Sequence, residues 1–301
     1  MNNELPIVSI VTPTYNQSRF ISETIESVLK QDYNKIEYMI LNDGSTDNTE
    51  EILKKYNGKV IWETQKNMGQ TPTINKGWKK SKGSILAYIN SDDTYYDSNS
   101  VSIAVNFLKN NPEVGIVYGD SIYIDENGKE LGKYNAYDFD YNKIFRECSN
   151  PIPQPSVFIR REVVEKVDYL DEKLYYSMDF DFWLRAGIEY KIVYIPYILS
   201  TYRLHLEAKS VSSMAKAASD VIYIYNKLFS IQNLPECLKA EEKSIMGCAY
   251  LLSAQQYFMG KDWSRAKQSF KKVLKLNSNC MNFRHYVKFI LSFLLSLINK
   301  K

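Results

Sequence analysis

The stretch Ile85-Leu86-Ala87-Tyr88-Ile89-Asn90-Ser91-Asp92-Asp93 decides how the chain is read. Five mostly apolar residues run into two adjacent acids and then into Thr94-Tyr95-Tyr96. A short apolar run with polar bounds predicts a buried strand. The acids then fall just past its C-terminal end, where open α/β sheets gather their ligands. Neighbouring carboxylates repel one another unless a cation lies beside them. A hard divalent ion, Mg or Mn shared with substrate phosphates, meets that demand. The plain alternative is a turn in which Asp92 or Asp93 caps a helix beginning near Ser98.

Working outward, residues 7–11 form an apolar strand closed by Thr12-Pro13-Thr14-Tyr15-Asn16. Ser18 then caps a helix whose Ile21, Ile25, Val28 and Leu29 share one buried face. Residues 36–41 are the next strand, ending in Asn42-Asp43-Gly44-Ser45. A helix, a short strand around Val60-Ile61-Trp62 and the polar loop Lys66-Asn67-Met68-Gly69-Gln70 follow. Then come a helix to about Ser81, the Ile85 strand, a helix to Asn110 and a strand over 114–118. Strands alternating with helices predict a mostly parallel sheet in a three-layer arrangement. In such a sheet the polar ends at 12–16, 42–43 and 90–93 converge on one crevice. No strand leads into G-x-G-x-x-G or G-x-x-x-x-G-K-[ST], which argues against a nicotinamide dehydrogenase or a P-loop NTPase.

The second half is less regular. A hairpin is expected over 120–128 with Glu126-Asn127-Gly128 as its turn, and residues 135–144 are rich in Tyr and Phe. Pro151, Pro153 and Pro155 stiffen a loop into a strand over 156–159, and a helix starts near Arg161. Ser177 is the expected N-cap of a helix containing Asp179, Asp181, Phe182, Trp183, Leu184 and Arg185. Asp181 and Arg185 are spaced as an i,i+4 ion pair. Asp179 has no such partner and is either a first-turn acid or a reacting group. A strand over 192–198 leads to Tyr202-Arg203-Leu204-His205, where the arginine suggests an anion-binding loop.

Composition bounds the rest. The 301 residues suffice for one large domain and a smaller one. Twenty-four tyrosines suit a cleft that stacks or hydrogen-bonds sugars and bases. A net charge of +3 gives no case for nucleic-acid binding. From Met214 onward there are 14 Lys/Arg against 5 Asp/Glu, and before it 24 against 30. Cys148, Cys237, Cys248 and Cys280 lack zinc-like spacing. The N-terminus lacks the pattern of a signal peptide, and no run reaches the length of a spanning helix, so a cytoplasmic location is expected.

Taken in order, these motifs resemble the inverting glycosyltransferases of family 2. The resemblance covers about 7–212 and rests on Thr12-Pro13-Thr14-Tyr15-Asn16, Asn42-Asp43-Gly44-Ser45, Asn67-Met68-Gly69 and Asn90-Ser91-Asp92-Asp93. Gln154-Pro155-Ser156, Met178-Asp179 with Phe182-Trp183-Leu184-Arg185, and Tyr202-Arg203-x-His205 complete it. It implies the GT-A (nucleotide-diphospho-sugar transferase) fold over 1–212, with a mostly parallel central sheet between helices. A C-terminal α-helical extension over 213–301 follows. It further implies transfer of a sugar from a nucleotide-diphosphate donor, UDP in the first instance, to a hydroxyl of a glycan or lipid-linked glycan. The setting it implies is cell-surface polysaccharide assembly.

By the same resemblance Thr12, Tyr15 and Asp43 contact the base and ribose, and Asn67, Gly69 and Arg203 also serve the donor. Asp92 lies near ribose and metal, while Asp93 and His205 hold Mn2+ or Mg2+. Asp179 is the general base, and Gln154 and Trp183 meet the acceptor. The family commonly has Glu before the base, where this chain has Met178. A sugar-phosphate nucleotidyltransferase would need a Gly-rich loop after the first strand, and a processive synthase a Gln-x-x-Arg-Trp motif. A non-catalytic nucleotide-sugar or carbohydrate-binding protein is the remaining rival.

Beyond Met214 the pattern is helical. Ala249, Tyr250, Gly260, Trp263, Ala266 and Phe270 resemble part of a tetratricopeptide-like hairpin, expected to pack on the catalytic domain. Along residues 286–298 only Lys288, Ser292 and Ser296 are polar, one narrow stripe. The wide apolar face either completes a helical core or lies in the plane of a membrane, aided by the surrounding positive charge.

Overall fold

The computed structural model describes residues 5–205 and 214–298, so the expected boundary at 212/213 lies outside the described residues. Two compact units divide the chain. The first comprises residues 5–139, 151–173 and 189–205, and the second 140–150, 174–188 and 214–298. This differs from a split near 212, because two earlier segments belong with the C-terminal helices.

The strands of the first unit are β1 (Val8–Thr14), β2 (Ile36–Asn42), β3 (Ile61–Thr64), β4 (Ile85–Tyr88), β5 (Val114–Ile124), β6 (Glu130–Lys133), β7 (Val157–Arg160) and β8 (Lys191–Arg203). They lie in the order β3-β2-β1-β4-β7-β5-β6, with β8 also on β5. From β3 to β4 every pairing is parallel. Strand β7 runs antiparallel to both β4 and β5, and β8 runs parallel to β5. Two reversals restore the direction, so β8 ends at the same edge of the sheet as β1, β2 and β4.

Helices α1 (Ile21–Leu29), α2 (Thr49–Lys54), α3 (Gln70–Lys80) and α4 (Ser100–Asn110) connect the strands. Side chains alternate along a strand, and β1 shows the consequence. Val8 and Ile10 join Ile21, Ile25 and Val28 of α1 and Val101, Val105 and Leu108 of α4 in one core. Val11 points the other way, towards α3, where a Cβ on Gly77 would lie 2.6 Å from its Cγ1. Helices therefore cover both faces, as expected. Two local expectations are corrected. Ser18 does not cap α1: its backbone N–H donates to Asp47 Oδ2 at 3.0 Å, and the helix starts after Phe20 without a side-chain cap. Leu29 is exposed, and Thr24 takes its place on the buried face. The 120–128 hairpin is present, but its first strand is the continuation of Val114 to Ile124.

The second unit holds α5 (Tyr141–Glu147), α7 (Met178–Ala186), α8 (Met214–Phe229), α9 (Glu236–Ala240), α10 (Glu242–Met259), α11 (Trp263–Leu276) and α12 (Phe283–Ile298); α6 (Arg161–Lys166) belongs to the first. Polar ties explain why its two early segments join the later helices. Arg146 on α5 grips Glu241 through Nε and Nη2 at 2.9 and 2.8 Å. The Tyr225 hydroxyl on α8 donates to Phe145 O. Asp181 on α7 pairs with Arg185 as expected, at 2.8 Å, and also with Lys227 on α8 at 2.9 Å. The α10/α11 hairpin turns at Gly260-Lys261-Asp262, where Asp262 caps α11 by accepting from Arg265 N–H. Ala249, Ala266 and Phe270 are buried in it.

Candidate active site

The polar strand ends of the first unit are joined by a continuous series of hydrogen bonds along one sheet edge. After β1, the Asn16 N–H donates to Ser45 Oγ, and the Thr46 N–H to Asn16 Oδ1 at 2.7 Å. Asn16 has φ 53°, a left-handed conformation that asparagine tolerates. Tyr15 beside it is 48% exposed. Thr12 is different. It is fully buried, with its hydroxyl on the Tyr38 hydroxyl at 3.0 Å, so it is a core residue without surface for a donor.

Asp43, just past β2, is buried and anchors the next loop. Its carboxylate accepts from Gln65 Nε2, Met68 N–H and Gly69 N–H at 2.9, 2.8 and 2.8 Å. Gly44 lets this happen: at φ +78° a Cβ there would lie 3.0 Å from Asn67 N. Asn67 itself is exposed. The series continues through Gln70, whose Nε2 donates to Asn90 Oδ1 at 2.6 Å. Asn90 Nδ2 in turn faces Asp93 Oδ2 at 3.3 Å and Gln154 Oε1 at 3.4 Å. Gln154 is buried, and its Nε2 donates to Tyr88 O. One end of its amide thus meets the Tyr88 backbone and the other the Asn90 side chain, which positions the loop after β4.

The two acids that follow have different neighbours. Asp92 Oδ2 lies 2.9 Å from His205 Nε2, and the imidazole packs on Phe20 at 4.9 Å between centroids. Asp93 Oδ1 accepts the Arg203 N–H at 2.9 Å, and its carbonyl accepts from Thr24 Oγ1. Burial, with the Asp92 charge next to it, pushes the Asp93 carboxyl well above the usual range. Asp92 is thus the carboxylate beside His205, while Asp93 faces the Arg203 N–H and Asn90 Nδ2. Arg203 is engaged within the protein. Its guanidinium is buried and donates to Asp92 O at 2.8 Å, Asp125 O at 3.1 Å and Glu23 Oε2, with Phe20 under it at 5.0 Å. These contacts brace the acidic loop.

Asp92 and His205 form a compact pair of oxygen and nitrogen donors suited to Mn2+ or Mg2+. Among the described residues no three His, Cys, Asp or Glu side chains converge on one metal position. The pair fits an ion whose remaining ligands come from substrate phosphate and water, the usual state of such ions.

Asp179 and Trp183 lie on α7 of the second unit. Asp179 is half-buried and accepts the Phe180 N–H at 2.8 Å. Burial pushes its carboxyl up to about 6, partly offset by that N–H. Met178 precedes it, and desolvation alone raises this acid. Trp183 is only 1% exposed and packs edge-on against Phe182, so it is a core residue and not the expected acceptor contact. Ser177 stands at the N-cap of α7 but makes no capping bond; Asp220 Oδ2 on α8 instead accepts the N–H groups of Tyr176 and Ser177. Glu23, Lys227 and Asp220 take part without any local sequence signal. Asn90 has one, its place inside Asn90-Ser91-Asp92-Asp93.

An eight-stranded mixed sheet with polar loops at the ends of its parallel strands defines a GT-A fold. That fold is shared with S. aureus TarS solved with UDP-GlcNAc (TM-score 0.70, 18% identity, 90% of this chain and 81% of that one). It is also shared with the Pyrobaculum calidifontis mannosyltransferase PcManGT solved with GDP-Man and Mn2+ (TM-score 0.61, 15% identity, 98% and 81%). Residues 9–168 match the family model Glycosyl transferase family 2, and the chain belongs to that family. An uncharacterized glycosyltransferase of Rickettsia prowazekii is 31% identical over 208 residues, 66% of this chain. The match spans 64% of that relative's own length.

Proposed function

We propose that the protein transfers a hexosyl group from a nucleoside-diphosphate sugar, with UDP the favoured nucleotide, to a hydroxyl of a cell-surface or lipid-linked glycan, inverting the anomeric centre. The observation that carries the reading is the Asp92–His205 pair, 2.9 Å apart beside buried Asp93 at the edge where β4 and β8 end. Tyr15, exposed after β1, and the 67–69 loop held by Asp43 supply surface for the nucleotide. Asp92 and His205 would hold the divalent ion, with Asp93 buried beside them. A bound Mn2+ or Mg2+ supplies Lewis-acid neutralisation of the charge developing on the diphosphate leaving group. Asp179 takes the acceptor hydroxyl proton, and a carboxyl raised to about 6 suits a base near neutral pH. One base and one displacement give inversion. A cytoplasmic setting belongs to the same proposal, in keeping with four free cysteines.

The test is a thermal-shift panel of UDP-, GDP- and dTDP-sugars with Mn2+, followed by NMR of the product's anomeric configuration. Stabilisation by one donor, lost in Asp92→Asn, is expected, because specific binding stabilises the native state. A wild-type chain that no donor stabilises would overturn the proposal. Donor binding without turnover on any acceptor or water would make the chain a nucleotide-sugar-binding protein.

A further inference from the structure

The last helix is turned inside out. A helix on a water-soluble surface buries its apolar stripe and shows its polar one. In α12 the polar stripe is the buried one. Ser292 is 0% exposed and Ser296 is buried, each hydroxyl donating to the carbonyl one turn back. Lys267 on α11 reaches Ser296 Oγ at 3.1 Å. Outward stand Phe283, 82% exposed, and Ile290, 57% exposed, with Val287, Leu291, Phe293, Leu294 and Leu297 also exposed. Among the described side chains of the helix, Phe289 packs on the cluster that includes Leu251, Phe270 and Val273.

A contiguous row of this kind marks a contact surface, unlike single exposed apolar residues. The charges around it identify the contact. Lys267 reaches α12 both at Ser296 and over the Phe293 ring at 5.1 Å. Lys271 and Lys275 follow Lys267 at one-turn spacing on α11, so they flank the same side and are exposed. Arg284 stands exposed at the start of α12 itself. From Met214 on, cations outnumber anions 14 to 5. Two copies meeting through this face would bring like charges together, whereas an anionic surface with an apolar interior satisfies both the row and its rim. Sixteen residues of helix reach about 24 Å, short of the roughly 30 Å hydrocarbon core, and no described helix is long and apolar enough to cross a membrane.

We propose that α12 lies in the plane of an anionic lipid surface, its outward apolar row in the acyl boundary and Lys271, Lys275 and Arg284 on the headgroups. The surface is independent of the donor chemistry, so it stands or falls apart from the proposed reaction. The test is cosedimentation of the full chain with phosphatidylcholine vesicles and with vesicles containing 30% phosphatidylglycerol (about that fraction suffices for a negative surface potential). Binding to the anionic vesicles and its decline with added salt are expected. Leu291→Glu with Leu294→Glu, both exposed and so compatible with the fold, abolishes it. Lys271→Gln with Lys275→Gln lowers partitioning roughly thirtyfold. Circular dichroism confirms that the variants fold. Absence of binding to either vesicle overturns the proposal, as does equal binding to both. A stable dimer in solution that the two glutamates dissociate, without vesicle binding, would assign the face to a second copy and overturn it too.

Discussion

Asp93 and Asp179 are both carboxyls that burial pushes upward, yet their surroundings differ. Around Asp93 the chain closes in from near and far: Asn90 and the Arg203 N–H meet its carboxyl, Thr24 its carbonyl, and the Arg203 side chain holds the carbonyl of Asp92. Around Asp179 the hydrogen bonds come from the backbone of its own helical turn. A carboxyl held from several sides is fixed in position. A half-buried one with spare acceptor capacity and a pKa of about 6 can exchange a proton near neutrality. In the proposed reaction the first positions and the second reacts.

The largest effect that could break this contrast is at Asp179. Replacing it with Asn is expected to lower kcat about 10²- to 10⁴-fold, the usual worth of a general base, while donor-induced thermal shift persists. The wild-type rate should rise with pH through about 6, since the protonated acid cannot accept a proton. Stability should move the other way. The folded pKa lies above the unfolded value, so the folded state binds the proton more tightly, and stability falls as pH rises through the interval up to about 6. Asp179→Asn should accordingly raise Tm at pH 8. Unchanged turnover, or a Tm lowered at pH 8, would make Asp179 structural like Asp93.

Next in size is the brace. Arg203→Ala strands the carbonyls of Asp92 and Asp125 and releases Glu23. Urea denaturation should show a loss of about 3 kcal/mol, as expected for buried acceptors left unpaired. Lys at 203 should recover only part of that, because one ammonium cannot reproduce the guanidinium fork. A loss of donor affinity with stability intact would instead return Arg203 to the donor. Smaller again is Asp43→Asn, which puts an amide where three N–H groups converge. About 1–2 kcal/mol is expected, with faster hydrogen exchange at Met68 and Gly69.

The sequence was most informative where neighbours in the chain are neighbours in space. The alternation of strands with helices, the polar strand ends and the Asp181–Arg185 pair all follow from local spacing. Partners far apart were hidden: Arg203 meets Asp92 across 111 residues, and Lys227 meets Asp181 across 46. Thr12, Trp183 and Gln154 sit in motifs with a polar or aromatic signature, but burial assigns them to the core and its supports. Periodicity found the two faces of α12 correctly and could not say which faces inward, because an amphipathic pattern is symmetric to that choice until the surrounding medium is known.

The smallest effect concerns how α7 begins, and it tests whether Asp179 is as lightly held as the contrast requires. Ser177 has the residue type and position of an N-cap, yet its side chain makes no capping bond. The unpaired donors ahead of the helix, Tyr176 and Ser177 N–H, go to Asp220 Oδ2 at 3.1 and 3.3 Å. Ser177→Ala should therefore change stability by less than about 0.5 kcal/mol, whereas Asp220→Ala should cost about 1 kcal/mol, the worth of a lost cap. If the order is reversed, Ser177 caps the helix in solution and Asp179 sits on a turn fixed locally by sequence. If it holds, the turn carrying the proposed base is secured by one long-range carboxylate, and weakening that contact should loosen the base without altering its chemistry.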